Sequence, residues 1–249
     1  MVEDTAAVQR FGGMSLREAF LDERVARLIE AALEGDFTRA DAQLQAGADP
    51  NYVGTDGILP LMWVMMTEYR KRTHPGTEYM LRAGASPNLR SAKGYSAMYF
   101  AAGGDNPAVL ELLLRLGGDP ATLNEHNETM LFTAVGEFRK ENIELLLRHG
   151  ADLNFRLSNG DTVANFTARM GRFDWVAMFL ERGLSYNLEG LAKSVVNRTV
   201  SNRDGQRDWQ DKVISMLKAR GVEVPSPVPY SRPAWFETLK EMEREKRGK

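Results

Sequence analysis

Apolar residues in this chain of 249 residues form short runs with helical spacing, and each run ends at a glycine. The run 109–114 precedes Gly117, and the run 143–147 precedes Gly150. Glycine adopts the left-handed conformation that follows a helix without the steric penalty of a Cβ atom. The pattern therefore predicts a series of buried helices, each closed by a glycine.

A second helical signal, rich in small alanines, lies about twenty residues before each of these glycines. Ser96, Thr129 and Thr162 begin such segments. They are predicted N-caps, because their hydroxyl groups can accept a hydrogen bond from a free backbone N–H. Pro60 is predicted at the first helical position of another segment, where its missing N–H is not needed. Each unit of the chain is thus expected to contain two helices.

A short phrase marks the end of each unit, as in Gly47-Ala48-Asp49-Pro50-Asn51 and Gly84-Ala85-Ser86-Pro87-Asn88. The glycines that carry this register are Gly47, Gly84, Gly117, Gly150, Gly183 and Gly221. Their successive spacings are 37, 33, 33, 33 and 38 residues. A period held this closely indicates a repeat protein in which each unit packs against its neighbours.

The period and the two phrases together resemble the ankyrin-repeat family, whose unit of 33 residues is a β-turn plus two helices marked by Thr-Pro-Leu-His-x-Ala. The resemblance covers Leu16 to Gly221. It implies an all-α solenoid of about six helix-pair units with β-turn fingers and divergent units at both ends. The family histidine is replaced by Met62, Tyr99, Phe132 and Asn165. Its hydrogen bonds between neighbouring loops are therefore expected to be absent or replaced.

The resemblance also divides the chain. Residues 1–14 are expected to be a flexible segment, 15–221 the repeats, and 222–249 a Pro-rich linker with a C-terminal helix. The repeat units are expected at 15–47, 48–84, 85–117, 118–150, 151–183 and 184–221.

Both end units depart from the repeat and are predicted to be caps. The first has helix signals but no hairpin. In the last, a helix begins near Leu191, too soon after Asn187 for a full finger, and another runs from about Asp208 to Ala219. Beyond them an apolar stripe at Trp235, Phe236 and Leu239 is predicted on the C-terminal helix, which could dock on the repeats or mediate self-association.

The amino-acid composition narrows the kinds of partner, bond and location expected for this chain. The chain has 32 Lys+Arg and 34 Asp+Glu, a net charge of −2, so a nucleic-acid partner is not expected. It has no Cys, which excludes disulfides and thiolate sites. No run approaches the ~20 apolar residues of a membrane span. The acidic N-terminus does not resemble a signal peptide. A cytoplasmic location is expected, or a periplasmic one if an export signal was removed.

The inventory of catalytic groups is poor. The chain has three His, and none is spaced from another as a helical metal site requires. No phosphate-binding glycine loop or nucleophile elbow is present. We therefore expect no catalytic residue, no metal and no cofactor. The alternative is an enzyme with a site in the C-terminal cap, at Glu189, Asp204, Asp208 and Trp209.

In the ankyrin-repeat family, partners bind the concave face of fingers and first helices, and this resemblance implies a protein partner here. The implied partner-binding residues are Val53, Thr55, Asp56, Ile58, Met66, Arg90, Lys93, Tyr95, Glu125, His126, Glu128, Glu137, Arg156, Ser158, Asn159, Asp161 and Arg169. An inserted loop adds a second candidate contact at Arg70, Lys71, Arg72 and His74, for an acidic partner or an anionic surface; a plain solvated loop is the alternative.

The resulting hypothesis is a non-enzymatic binding module that is monomeric by itself. It could be an inhibitor, such as the immunity protein of a cognate bacterial toxin or enzyme. A scaffold or adaptor in a larger assembly is the alternative.

Overall fold

A computed structural model describes residues 13–91, 93–200 and 204–227 of the chain. Within these residues the fold is all-α, with one short 3-10 helix at Thr55–Gly57 and no β-strand. The α-helices are α1 (Leu16–Ala19), α2 (Glu23–Glu34), α3 (Phe37–Gln45), α4 (Pro60–Glu68), α5 (Pro75–Arg82), α6 (Ala97–Gly103), α7 (Pro107–Arg115), α8 (Met130–Gly136), α9 (Lys140–Arg148), α10 (Val163–Arg169), α11 (Phe173–Glu181), α12 (Leu188–Val196) and α13 (Gln206–Ala219).

From α2 onward the helices form six successive pairs, as the repeat predicts. The predicted first cap corresponds to α2 and α3, and the predicted last cap to α12 and α13. Residues 1–12 and the stripe at Trp235, Phe236 and Leu239 lie outside the described residues.

The chain divides into two compact units, Met1–Val163 and Ala164–Lys249. In the first unit, α4 packs on α5, α6 on α7, and α8 on α9. Successive pairs stack through like helices, because α6 packs on α8 and α7 on α9. We call α4, α6 and α8 the first helices and α5, α7 and α9 the second helices. In the second unit, α13 packs on both α11 and α12.

The predicted helix ends are largely confirmed. All six glycines of the register have positive φ angles, between 76° and 103°. Ser96 caps α6, with its Oγ accepting a hydrogen bond from the Tyr99 N–H at 3.1 Å. Pro60 is the first residue of α4. Thr129 occupies the N-cap of α8, but its hydroxyl makes no capping hydrogen bond there.

Asparagine side chains join successive repeat phrases. The Asn51 Nδ2 donates to the Gly84 carbonyl at 2.9 Å, and its Oδ1 accepts from the Ser86 N–H at 2.8 Å. Asn88 repeats this pattern one unit later on Gly117 and Asp119, with both distances 2.8 Å. Each bridge satisfies backbone groups at the end of a second helix, where no intrahelical partner exists.

The inserted loop is anchored by a buried carboxyl group. Glu68, at the end of α4, is 1% exposed. It accepts hydrogen bonds from the N–H groups of Gly76 and Thr77 at 3.1 and 2.8 Å, and from the Thr77 hydroxyl at 2.8 Å. These N–H groups belong to the first turn of α5, so Glu68 acts as its cap across the loop.

Glutamine side chains hold the helices of the second unit together. The Gln206 Oε1 accepts from the Phe173 N–H at 2.7 Å, and its Nε2 donates to Asp174 at 3.0 Å. Gln206 thereby joins the N-termini of α13 and α11. Gln210 donates to the carbonyl groups of Val195 and Arg198 at the end of α12.

Trp63 of α4 and Trp175 of α11 are buried, each 3% exposed. In the described part of the chain, the helices are too short or too polar to cross a membrane.

Candidate functional site

Three aromatic side chains cluster at the start of α6 and on the finger before it. The ring centroids of Tyr95 and Tyr99 are 5.1 Å apart, and Phe100 lies 5.6 Å from Tyr95 and 5.5 Å from Tyr99. All three side chains are only partly buried. The cluster therefore combines large apolar area with exposure, which is typical of a contact surface rather than a core.

A cavity of about 350 Å³ opens beside this cluster, and we call it the aromatic cavity. Its lining residues come from three successive first helices and the turns that follow them: Met66, Tyr69, Tyr99, Phe100, Gly103, Gly104, Asp105, Thr133, Glu137 and Arg139.

Two consecutive glycines end α6 in close contact with side chains of the neighbouring repeats. Gly104 has an extended backbone with φ −76°, and Gly103 is the last residue of α6. Neither adopts a positive φ, so the backbone does not require glycine at either position. A Cβ atom on Gly103 would lie 3.3 Å from Glu137 and Thr133 atoms, and one on Gly104 would overlap the Tyr69 hydroxyl. Glycine at position 104 is therefore required by the close approach of Tyr69 and not by the chain conformation.

Hydrogen bonds fix the glycine wall. The buried Asn142 of α9 donates through Nδ2 to the carbonyl groups of Ala101, Ala102 and Gly104 at 3.1, 2.9 and 2.9 Å. The Arg139 Nε donates to the Gly103 carbonyl at 2.9 Å. These four carbonyl groups end α6, so the next repeat satisfies them all and keeps the cavity preformed.

Tyr69, which follows α4 and opens the inserted loop, lies directly against Gly104 in the lining. Its hydroxyl accepts from the Asn106 N–H at 3.0 Å, and its carbonyl accepts from the Asn106 Nδ2 at 2.7 Å. Burial, with a further contribution from Asp105, raises the pKa of the Tyr69 hydroxyl above its usual value. The insertion in the repeat therefore supplies a wall of the cavity.

The electrostatic character of the cavity is acidic. Asp105 and Glu137 line it, against the single cation Arg139. The pKa of Tyr99 is raised by burial and by the nearby charged groups, including Glu125, Glu137 and Glu128. Several carboxyl groups therefore lie close to the Tyr99 ring, which is in the lining of the cavity.

A second cavity of about 250 Å³ lies on the finger side of Phe100, and we call it the finger cavity. It is lined by Met14, Asp56, Gly57, Ile58, Met62, Ser91, Lys93, Tyr95 and Phe100. Because both cavities share Phe100, the fingers and first helices of this unit form one continuous surface.

The structure places most of the predicted partner-binding residues on accessible positions. The exposed or partly exposed members are Val53, Thr55, Asp56, Met66, Arg90, Lys93, Tyr95, Glu125, His126, Glu128, Glu137, Arg156, Ser158, Asn159, Asp161 and Arg169. Of these, Asp56, Lys93 and Tyr95 meet in the finger cavity, while Met66 and Glu137 meet in the aromatic cavity. Arg90, Lys93 and Glu125 also line an open depression of about 520 Å³ between finger tips.

Two residues need correction. Ile58 is only 7% exposed, so it contributes little accessible surface although it lines the finger cavity. His74 is 8% exposed and lies at the N-cap of α5, with its Nε2 3.4 Å from the Asn106 Nδ2. It does not belong to the accessible basic loop, whose exposed residues are Arg70, Lys71 and Arg72.

In the second unit, Arg169 lines a separate cavity of about 440 Å³ with Lys193, Ser194, Asn197 and Arg198. The structure thus places Arg169 in a basic surface of its own unit.

The sequence interpretation missed Tyr69, Tyr99, Phe100 and Arg139 as surface residues. A signal was present for two of them. Tyr99 stands in place of the family histidine, and Tyr69 begins the insertion. Phe100 and Arg139 lie in the helical phrases, where the pattern indicates only packing.

Two of the residues of the alternative enzymatic site, Asp204 and Trp209, contact residues of α13. The Asp204 carboxyl group accepts a hydrogen bond from the Gln206 N–H at 3.4 Å, and the Trp209 ring lies 4.6 Å from the Lys212 Nζ. Both contacts are local to α13. Within the described residues, no group of three His, Asp or Glu side chains is placed to hold a metal ion.

Comparison with protein-family models gives a match. Residues 71–157 match the family model described as ankyrin repeats, in three copies. The matched stretch includes most of the aromatic cavity. No curated protein matches the sequence.

Proposed function

We propose that this ankyrin-repeat protein is a non-enzymatic module that binds a protein partner through the fingers and first helices of its first unit. Ankyrin repeats are typical of protein–protein interaction modules, and the match supports this class of function. The observation that carries the proposal is the continuous surface of two cavities joined at Phe100.

The composition of that surface fits a protein partner. Protein interfaces are enriched in aromatic residues, Met and Arg, and their strongest contacts lie in preformed, well-packed pockets. Tyr95, Tyr99, Phe100 and Met66 supply such anchoring area. The charges around them have both signs, which suits a specific protein better than a polyanion.

The remaining predicted contacts extend this proposal. Arg156, Ser158, Asn159 and Asp161 lie on the next finger and are proposed to contact the same partner. Arg70, Lys71 and Arg72 are proposed as a secondary contact for an acidic segment of it.

The finer proposal is that the module is an inhibitor that covers the active surface of one enzyme, such as an immunity protein of a bacterial toxin. A preorganised surface favours tight binding of a single partner, because little freedom is lost on association. The alternative is a scaffold that holds its partner without changing the partner's activity.

The test is affinity capture from native lysate with the tagged full chain and two lysine reversals. Lys93→Glu changes the finger surface, and Lys140→Glu makes the same charge change at an exposed position of α9. A partner that is captured stoichiometrically by the wild type and by Lys140→Glu, but not by Lys93→Glu, supports the proposal. Equal capture by both variants would show that binding uses a different surface.

The activity of the purified captured protein, measured with and without this chain, distinguishes an inhibitor from a scaffold. Loss of its activity on titration to one equivalent identifies an inhibitor. Unchanged activity at saturation identifies a scaffold.

A further inference from the structure

The walls of the aromatic cavity suit a positively charged group. Tyr69, Tyr99 and Phe100 all line it. The face of an aromatic ring carries negative potential, so it attracts an ammonium or guanidinium group held within about 6 Å of its centroid. Three such rings around one cavity offer this attraction from several directions.

Two carboxyl groups line the cavity without partners of opposite charge. Neither Asp105 nor Glu137 forms an ion pair with any residue that the structure describes. Both residues are exposed. A cation that entered the cavity would therefore meet two carboxyl groups that form no ion pair with a described residue, one of which, Asp105, also contacts Tyr69.

The one cation in the lining is held in the wall. Arg139 is partly buried, and its Nε donates to the Gly103 carbonyl at 2.9 Å. The lining carries two carboxyl groups against this one guanidinium, and Glu125 and Glu128 add negative charge close to Tyr99. The local field therefore favours a further positive charge.

The volume of the aromatic cavity limits the size of the ligand that it can hold. Sites for whole small molecules range from roughly 300 to 1,000 Å³. At about 350 Å³ the aromatic cavity is near the lower limit, large enough for one long side chain. Gly104 allows the Tyr69 hydroxyl to approach the end of α6, where a Cβ atom would overlap it, so Tyr69 is held in the lining.

We propose that the aromatic cavity binds one basic side chain, a lysine or an arginine, of the protein partner. This inference rests on the proposed function, because it names the chemistry that the same surface recognises. The aliphatic stem packs between Tyr69 and Phe100, and the charged end lies over Tyr99 near Glu137.

The test uses a small probe and does not need the partner. The full chain, labelled with ¹⁵N, is titrated with Nα-acetyl-lysine methylamide and, separately, with the same compound acetylated on Nε. The acetylated probe retains the stem and removes the charge. We expect saturable shifts of the Gly103 and Gly104 amide signals with the charged probe, and at least about tenfold weaker binding of the uncharged one.

Two variants measure how much the charge of Glu137 and the ring of Tyr99 each contribute to binding of the charged probe. Glu137→Gln removes the charge and Tyr99→Leu removes the ring, and each is expected to weaken the charged probe by about threefold to tenfold. Glu111→Gln is the matched control, since Glu111 is an exposed carboxyl group on α7 outside the cavity lining. It should leave the affinity unchanged. Amide spectra of each variant establish that the fold is intact.

Equal shifts with both probes, or no saturable shift with either, would overturn the inference. Partner capture that still depends on Lys93 would then leave the proposed function standing. Saturable binding of the charged probe, together with equal partner capture by the wild type and Lys93→Glu, would show a cation site that lies outside the partner-binding surface.

Discussion

At the scale of single residues, two buried threonine hydroxyls illustrate how context determines the contribution of a polar group. The Thr133 Oγ1 is buried and has no hydrogen-bond partner among the described residues. The Thr77 Oγ1 is equally buried but donates to Glu68 at 2.8 Å. An unsatisfied buried polar group costs free energy, whereas a satisfied one stabilises the fold modestly.

The same substitution should therefore act in opposite directions at these two sites. We expect Thr133→Val to raise the free energy of unfolding by about 1 kcal/mol, because it replaces an unsatisfied hydroxyl with a methyl group. Thr77→Val should lower it by about 1–3 kcal/mol, because Glu68 keeps its burial and loses a donor. Urea denaturation followed by circular dichroism measures both values, and destabilisation by Thr133→Val would indicate an unseen partner for its hydroxyl.

At the scale of elements, two repeat phrases that end in asparagine, at Asn51 and Asn88, are each joined to the next phrase through that side chain. The third phrase has Ala121 at this position, although Asp119 still accepts a hydrogen bond from the Ala121 N–H at 2.8 Å. The same turn forms at Asn51, where Asp49 accepts at 2.8 Å. The backbone at Ala121 is therefore already shaped for the missing side chain.

We predict that Ala121→Asn stabilises the chain by about 1 kcal/mol, by reaching the Gly150 carbonyl and the Asp152 N–H one unit later. The reverse change, Asn88→Ala, removes the bonds to Gly117 and Asp119 and one from Thr122. It should destabilise the chain by about 1–3 kcal/mol. Thermal unfolding of both variants beside the wild type provides the measurement, and unchanged stability in Ala121→Asn would contradict the bridge geometry.

The N-terminus of α11 is tied to α13 through an ionisable group. Burial acts to raise the pKa of Asp174, but hydrogen bonds and charge from Arg172 and hydrogen bonds from Gln206 outweigh it, so the pKa is lowered. A carboxyl group whose folded pKa lies below its unfolded value of about 3.9 stabilises the fold above that pH. The contribution is lost as the pH falls through the folded pKa.

We therefore expect Asp174→Asn to lower stability at pH 7, with the difference from wild type shrinking below about pH 4. Chemical denaturation across pH 2.5–7 would measure this difference. A difference that stays constant with pH would mean that Asp174 acts through shape alone.

The sequence predicts elements better than it predicts the cavity, and the reason is physical. A spacing of 33 residues and a glycine at each helix end depend on local chemistry, so α6 to α11 could be located from their own residues. The aromatic cavity depends on Tyr69, Gly104 and Glu137, which lie in three different repeats. Only the stacking of those repeats brings them together, and no local pattern encodes that proximity.

The two corrected residues follow the same rule. Ile58 and His74 each lie just before the start of a helix, α4 and α5 respectively, and both are buried although the sequence places them in a finger and a loop. Their neighbours on the finger and the loop remain exposed, as the pattern predicts. Whether a residue just before a helix is buried depends on which neighbouring element packs against it, and the local sequence does not specify that element.

At the scale of the whole molecule, charge bears on the choice of partner. The chain has 32 basic and 34 acidic residues, so any attraction for a polyanion must come from a local cluster. In the first unit, the exposed run Arg70, Lys71 and Arg72 is such a cluster. It could neutralise about three phosphates, fewer than the roughly six to ten contacts typical of DNA-binding proteins.

We therefore predict no binding to a labelled 20-base-pair duplex at 150 mM salt, with weak binding appearing only near 20 mM. Each neutralised phosphate contributes about −0.9 to the slope of log affinity against log salt, so the slope should be no steeper than about −3. Reversing the three loop charges to Glu should weaken the low-salt binding, whereas Lys140→Glu should change it little. Fluorescence anisotropy measures all of these, and micromolar affinity at 150 mM would show that nucleic acid is a partner after all.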